Sequence, residues 1–168
     1  MKEDLAKAGF AFGVSENYVD LVTKAITNNE GYLIENSSKE HAKFLIYSLF
    51  LTAKKSLKIF SGSLNESFYA DKNILDLFNK KLEDNVTIEI VVEKKERTNP
   101  LFNINSPNLT IRQTKLKSNK NHFILADDSF FRMEKVHTSG FPNEVQAIAM
   151  FKKTNISDGL VSAFNELR

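Results

Sequence analysis

Between Leu57 and Val92 the apolar pattern changes period twice, and that restricts the fold more than any other feature of the chain. Leu57-Lys-Ile-Phe60 reads as a short strand. Asp71 to Glu83 follows with Ile74, Leu75, Phe78 and Leu82 at helical spacing. Val86 to Glu93 then alternates Val86, Ile88, Ile90 and Val92 against polar neighbours until Val91, which is strand chemistry. Strand, helix and strand in this order make a right-handed βαβ unit, because a twisted strand feeding a right-handed helix returns to its sheet with that hand. The polar turn Ser61-Gly62-Ser63-Leu64-Asn65 lies at the exit of the first strand.

The flanking segments extend the unit. Ser15 caps a helix running to about Thr27, with Val19, Val22 and Ile26 on one side and Asn28, Asn29 and Gly31 ending it. Tyr32-Leu-Ile-Glu35 reads as a short strand. Ser38 caps a second helix to about Lys54, apolar around most of its circumference, and therefore either buried on several sides or part of an oligomer interface. Lys94 to Pro107 reads as a loop. Strands are expected at Leu109–Lys115, Asn121–Ala126, Phe130–Val136 and Gln146–Phe151, with His137 to Asn143 as a loop before the last of them. A final helix opens near Asn155 or Ser157, with Leu160, Val161, Phe164 and Leu167 on its apolar face. The whole predicts a mixed, mostly parallel sheet with helices on both faces. Residues 1–37 are expected as an N-terminal helical segment packed on a domain of residues 38–168.

Composition agrees with one globular unit. A chain of 168 residues, 42% hydrophobic and holding 14 Phe, buries roughly 70% of its unfolded surface. It has no cysteine, which removes disulfides, thiolate metal sites and cysteine nucleophiles together. Met1 to Gly13 lacks the apolar run of a signal peptide. The most apolar stretch, Phe44 to Ala53, is about half the roughly 20 residues that a membrane span needs. A cytoplasmic location is expected. The net charge of +2 is close to neutral, but Arg112, Lys115, Lys117 and Lys120 follow one another up to His122 without an acid between them. That run reads as a solvated loop or as a phosphate-facing patch.

The segment Lys120-Asn-His122-Phe-Ile-Leu-Ala-Asp127-Asp-Ser combines a polar approach, an apolar strand and an acidic turn. Lys120 and His122 share a strand face. If three residues close the hairpin, Ala126 opposes Phe130, Ile124 opposes Arg132 and His122 opposes Glu134, which gathers Lys120, His122, Arg132 and Glu134 on one face. Of the other histidines, His41 reads as a core or surface residue, and His137 has no assigned role.

These blocks resemble the phospholipase D-like superfamily. Ala53 to Phe60, the following helix and Asn85 to Val92 match its first half. Asn121 to Ser129, Ala147 to Phe151 and the terminal helix match its second, so the resemblance covers about Ser38 to Arg168. The family signature is His, any residue, Lys, four of any residue, Asp. Aligning Asp127 with the signature Asp puts Lys120 at the position of the nucleophilic His and His122 at that of the Lys. Starting at His122 instead puts Ile124 and Ser129 at the Lys and Asp positions, a worse match. The resemblance implies metal-free phosphodiester chemistry with no cofactor, carried by two motifs that face each other. A chain with one motif is then expected to form its site across a homodimer.

A protonated lysine is a poor nucleophile, and an imidazole displaced by two residues stands away from the reacting atom. The swapped pair therefore predicts a degenerate site that keeps phosphate affinity and loses hydrolysis. Vestigial-site candidates are His122, Lys120, Asp127 and Glu134, with Arg112, Lys115, Lys117, Arg132, Ser63 and Asn65 as phosphate ligands. The expected ligand is nucleic acid or another phosphodiester. The competing expectations are a non-catalytic dimeric scaffold and an active phosphodiesterase or nuclease using His122.

Overall fold

The computed structural model describes residues 1–36, 38–96, 98–115, 121–134 and 147–168. In chain order its elements are α1 (Lys2–Phe12), α2 (Glu16–Asn28), β1 (Ile34–Asn36), α3 (Lys39–Thr52), β2 (Ser56–Ser61), α4 (Glu66–Tyr69), α5 (Lys72–Glu83), β3 (Thr87–Val92), a 3₁₀ turn at Pro100–Asn103, β4 (Leu109–Gln113), β5 (Phe123–Ala126), β6 (Phe130–Glu134), β7 (Ala147–Met150) and α6 (Asn155–Leu167). The seven strands form one sheet in the order β1-β7-β6-β5-β2-β3-β4.

The βαβ unit forms as the period change demands: β2 and β3 are parallel neighbours, with Leu57 opposite Ile88 and Ile59 opposite Ile90. β4 adds to β3 in parallel, and the other four neighbouring pairs are antiparallel. The sheet is mixed, as expected. Five of its seven strands run in one direction, yet only two of the six described pairings are parallel. β5 and β7 account for the difference, because each is a hairpin partner turned against its neighbours.

The residues of alternate parity feed two cores. Leu57, Ile59, Ile88, Ile90, Ile124 and Ala149 face one side and pack under α1, α2, α3 and α5. Phe60, Val91, Phe123, Leu125, Phe131 and Met150 face the other and meet Leu160, Phe164 and Leu167 of α6. Helices therefore cover both faces. Each side chain removed from water contributes about 1.5–3 kcal/mol. The start of α6 is pinned to the β5–β6 hairpin by Ser157, whose Oγ donates to the Ser129 carbonyl at 2.6 Å.

α3 starts at the expected Ser38 cap, whose Oγ accepts from the His41 amide at 3.1 Å. Its apolar circumference is used inside the chain: Ala42, Phe44, Leu45, Ile46, Leu49 and Phe50 are buried between the sheet and the neighbouring helices. Lys81 from α5 ends it, donating to the Leu51 and Ala53 carbonyls at 2.9 and 2.7 Å. Burial lowers the Lys81 pKa.

α1 and α4 were not anticipated. α1 buries Leu5, Ala8, Gly9 and Phe12, a helical spacing muted in the sequence because two of the four are small. Gly13 closes it in the left-handed region at φ 73°, where a glycine carries no Cβ penalty. α4 is a single turn begun by Asn65, whose Oδ1 accepts from the Ser67 amide at 2.9 Å. α1 and α2 belong to the same hydrophobic core as α3, and Phe12 meets Tyr47 of α3 edge-on at 5.9 Å. Among the described residues no helix is long and apolar enough to cross a membrane.

Candidate functional site

The carboxyl ends of parallel strands are where open α/β sheets bind ligands, and a cleft of about 310 Å³ opens at that end of β2. Its wall is the turn after β2, with Ser61, Gly62, Ser63 and Asn65. Tyr69 of α4 and Ile46 of α3 close it above, and Ile124, Arg132 and Glu134 form its floor. His122, just before β5, stands at the centre.

Hairpin register brings these groups together. The β5–β6 turn contains Asp127 and Asp128 at φ 52° and 53°, left-handed values that Asp adopts more readily than most residues. Ser129 then donates to the Ala126 carbonyl at 3.0 Å. Ala126 opposes Phe130 and Ile124 opposes Arg132, as the three-residue loop required. The Glu134 amide donates to the His122 carbonyl at 2.9 Å, so the two side chains project from the same face.

The cluster is tightly paired. His122 Nδ1 is 3.5 Å from Glu134 Oε2, and its Nε2 is 3.4 Å from Glu93 Oε2. Arg132 Nη1 donates to Glu134 Oε1 at 3.0 Å. Arg132 is only 3% exposed, and its Nε is buried without a hydrogen-bond partner among the described residues. The Phe60 ring meets the imidazole edge-on at 5.4 Å. Gly62 lets it close in, since a Cβ there would lie 3.2 Å from His122 Cε1.

The charges respond to this packing. The Glu134 hydrogen bond raises the His122 pKa; burial opposes it, and the Glu134 and Glu93 charges reinforce it. Burial alone would raise Glu134, but the His122 hydrogen bond and the Arg132 charge outweigh it and hold that carboxyl down to about 2. Burial, with Glu134 nearby, pushes the Tyr69 hydroxyl up. An imidazole attacks phosphorus through a free ring-nitrogen lone pair, whereas His122 has a carboxylate against each ring nitrogen.

The sequence candidates divide into three groups. His122, Glu134, Arg132, Ser63 and Asn65 converge on the cleft, although Asn65 Oδ1 is occupied in capping α4. Arg112 and Lys115 are exposed on and just beyond β4, outside the cleft lining. Lys117 and Lys120 lie outside the described residues, as does the His137 to Asn143 segment. Asp127 does not line the cleft. It sits at the opposite end of β5, where Oδ1 accepts from the Lys55 and Ser56 amides at 2.8 and 2.9 Å and Oδ2 from the Lys54 amide at 2.9 Å. The acidic turn thus holds the entrance to β2, because a carboxylate there satisfies amides that have no strand partner.

Glu93, Gly62, Ser61 and Tyr69 were missed. Glu93 and the Ser61-Gly62-Ser63 turn both lie at carboxyl ends of the parallel pair, which is the signal that marks them. Tyr69 carries no such signal, since α4 itself was not legible.

No protein-family model matches the sequence, and no curated protein is significantly similar to it. Solved structures are similar in fold. Nuc from Salmonella typhimurium, a phospholipase D family member, superposes with a TM-score of 0.58 at 13% identity, over 82% of this chain and 94% of that one. NucT from Helicobacter pylori gives 0.61 at 12% identity, over 82% and 96%. TrmBL2, an archaeal chromatin protein whose structure shows a novel mode of DNA binding, gives 0.58 at 13% identity, over 88% of this chain and 56% of that one. On these superpositions, this chain has the phospholipase D-like fold.

Proposed function

We propose that the chain is a catalytically degenerate phospholipase D-like module that binds a phosphodiester, nucleic acid foremost, in the His122–Arg132 cleft without hydrolysing it. The observation that carries this reading is the carboxylate standing against each His122 ring nitrogen, at 3.4 and 3.5 Å, which blocks the approach of phosphorus to either one. Arg132 lines the same cleft with its Nη1 held on Glu134, and Ser63 adds a neutral donor. The neighbours are consistent with it, since one of them is a DNA-binding chromatin protein.

A tungstate or phosphate soak, paired with a turnover assay on bis(4-nitrophenyl) phosphate, tests the reading. The expected result is an oxyanion on His122 or Arg132 with no turnover. Turnover abolished by His122→Ala would establish the active phosphodiesterase instead.

One observation favours a second reading, a dimeric scaffold with an idle cleft. Glu93 and Glu134 already stand against His122 and Arg132, so carboxylates face both donors before any ligand arrives. A stable homodimer in sedimentation, with no anion bound in the soak, would replace the binding reading with this one.

A further inference from the structure

The cleft continues toward one side of the sheet through three consecutive strand ends. The Lys94 amide donates to the Gly62 carbonyl at 2.8 Å, which ties the residue after β3 directly to the cleft wall. β4 lies next to β3 with Gln113 opposite Val92. The Thr114 amide donates to the Val92 carbonyl at 2.9 Å, and Gln113 Nε2 donates to the Glu93 carbonyl at 3.1 Å. Continuing that register sets Lys115 beside Lys94. Neighbouring strands are about 4.8 Å apart, so Gly62, Lys94 and Lys115 span about 10 Å across the sheet end. Arg112, opposite Val91 in register, belongs to the other face of the sheet, the α6 side.

The charges along this line are open to a partner. Lys94 and Lys115 are both exposed. Lys94 has one exposed acid, Glu96, at 3.6 Å, while among the described residues Lys115 has no ion pair. The acid nearest in sequence to Lys94, Glu93, is turned inward onto His122. Like charges placed together on a sheet end repel, and a polyanion relieves that repulsion while releasing its own counterions.

From this geometry we propose that a nucleic-acid strand seated in the cleft continues over a basic rim of Lys94 and Lys115 toward the end of β4. The rim depends on the phosphodiester-binding reading above, and it adds a direction and a second set of phosphate contacts. It is an electrostatic surface without base readout, so it binds strands of different sequence alike.

The test is the salt dependence of binding to a single-stranded DNA oligonucleotide between about 50 and 200 mM salt. The proteins compared are the full chain, the double variant Lys94→Ala, Lys115→Ala, and a control with Lys72→Ala and Lys80→Ala on α5. Each lost phosphate contact removes about 0.7 from the slope of log affinity against log salt for a single strand. The double variant is therefore expected to be shallower by about 1.4 and the control unchanged, with the tungstate site in the cleft retained. A double variant that binds with the wild-type slope would overturn the rim and leave the cleft reading standing. A wild-type chain with no DNA affinity would overturn the rim too, and the oxyanion soak would then show whether the cleft reading survives for another phosphodiester.

Discussion

His122 sits between two carboxylates, and the pH dependence of stability follows from the signs of the two shifts. His122 is raised above its ordinary 6.5 in the folded chain. Its contribution is fully present below pH 6.5 and is lost as the pH climbs through the raised value. Glu134 is lowered from 4.5 to about 2. Its contribution is present above pH 4.5 and is lost as the pH falls toward about 2. The two arms predict a maximum of cluster stability between pH 4.5 and 6.5. Thermal melts across pH check this, and His122→Gln is expected to flatten the alkaline arm and to shrink the acid one, since the His122 hydrogen bond is the largest of the causes that lower Glu134. Asp127 supports a different prediction. The three hydrogen bonds it accepts from backbone amides are charge-assisted but partly solvated, so Asp127→Ala is expected to cost about 2 kcal/mol in urea unfolding. Asp127→Asn, which keeps one acceptor oxygen, should recover part of that loss. The oxyanion soak should find the same ligands in either variant, since Asp127 is remote from the cleft.

At the scale of elements, close approach decides where substitutions hurt. Gly9 of α1 lies against Val19 of α2, and a Cβ at Gly9 would stand 2.2 Å from Val19 Cγ2. The two helices must separate or Val19 must change rotamer, so Gly9→Ala is expected to destabilise by about 1–3 kcal/mol despite its better helix propensity. Chemical denaturation measures it, and a stabilised variant would show that the α1–α2 contact yields easily. Lys81 ends α3 from outside, on two carbonyls left free by the helix terminus. Lys81→Met keeps the stem and removes the donors, with an expected loss of about 1–2 kcal/mol, read by the same method. The βαβ unit, the α2 and α3 caps and the β5–β6 register were legible because each rests on local chemistry: a period, a capping serine, a turn of fixed length. α1 was not, because alanine and glycine in its buried face give no apolar stripe, and α4 is too short to have a period.

For the whole molecule, the N-terminal hairpin is part of the main core. Leu5 and Val22 are fully enclosed and Phe12 packs on α3. Removing residues 1–14 strips Leu5, Ala8, Phe12 and Val14 from that core, which at about 1.5–3 kcal/mol for each large side chain is comparable to the 5–15 kcal/mol by which a domain is stable at all. The truncated chain is expected to lose cooperative unfolding or to aggregate. A cooperative melt close to that of the full chain would show that the hairpin is an appendage after all.

The sequence by itself determined the class of fold, because the alternation of periods from Leu57 to Val92 and the hairpin spacing around Asp127 leave few ways to bury the apolar faces. It also determined that His122, Arg132 and Glu134 share a face, since strand parity and a three-residue turn suffice for that. Tertiary structure decided what those residues do to one another. Glu93 reaches His122 only because β5 pairs with β2 while β3 lies on its far side, a contact between residues 29 apart that no local pattern encodes. Tertiary structure likewise took Asp127 out of the cleft, where motif spacing alone would have kept it. Spacing orders residues along a strand, whereas amides left free at the entrance to β2 decide where a carboxylate is held.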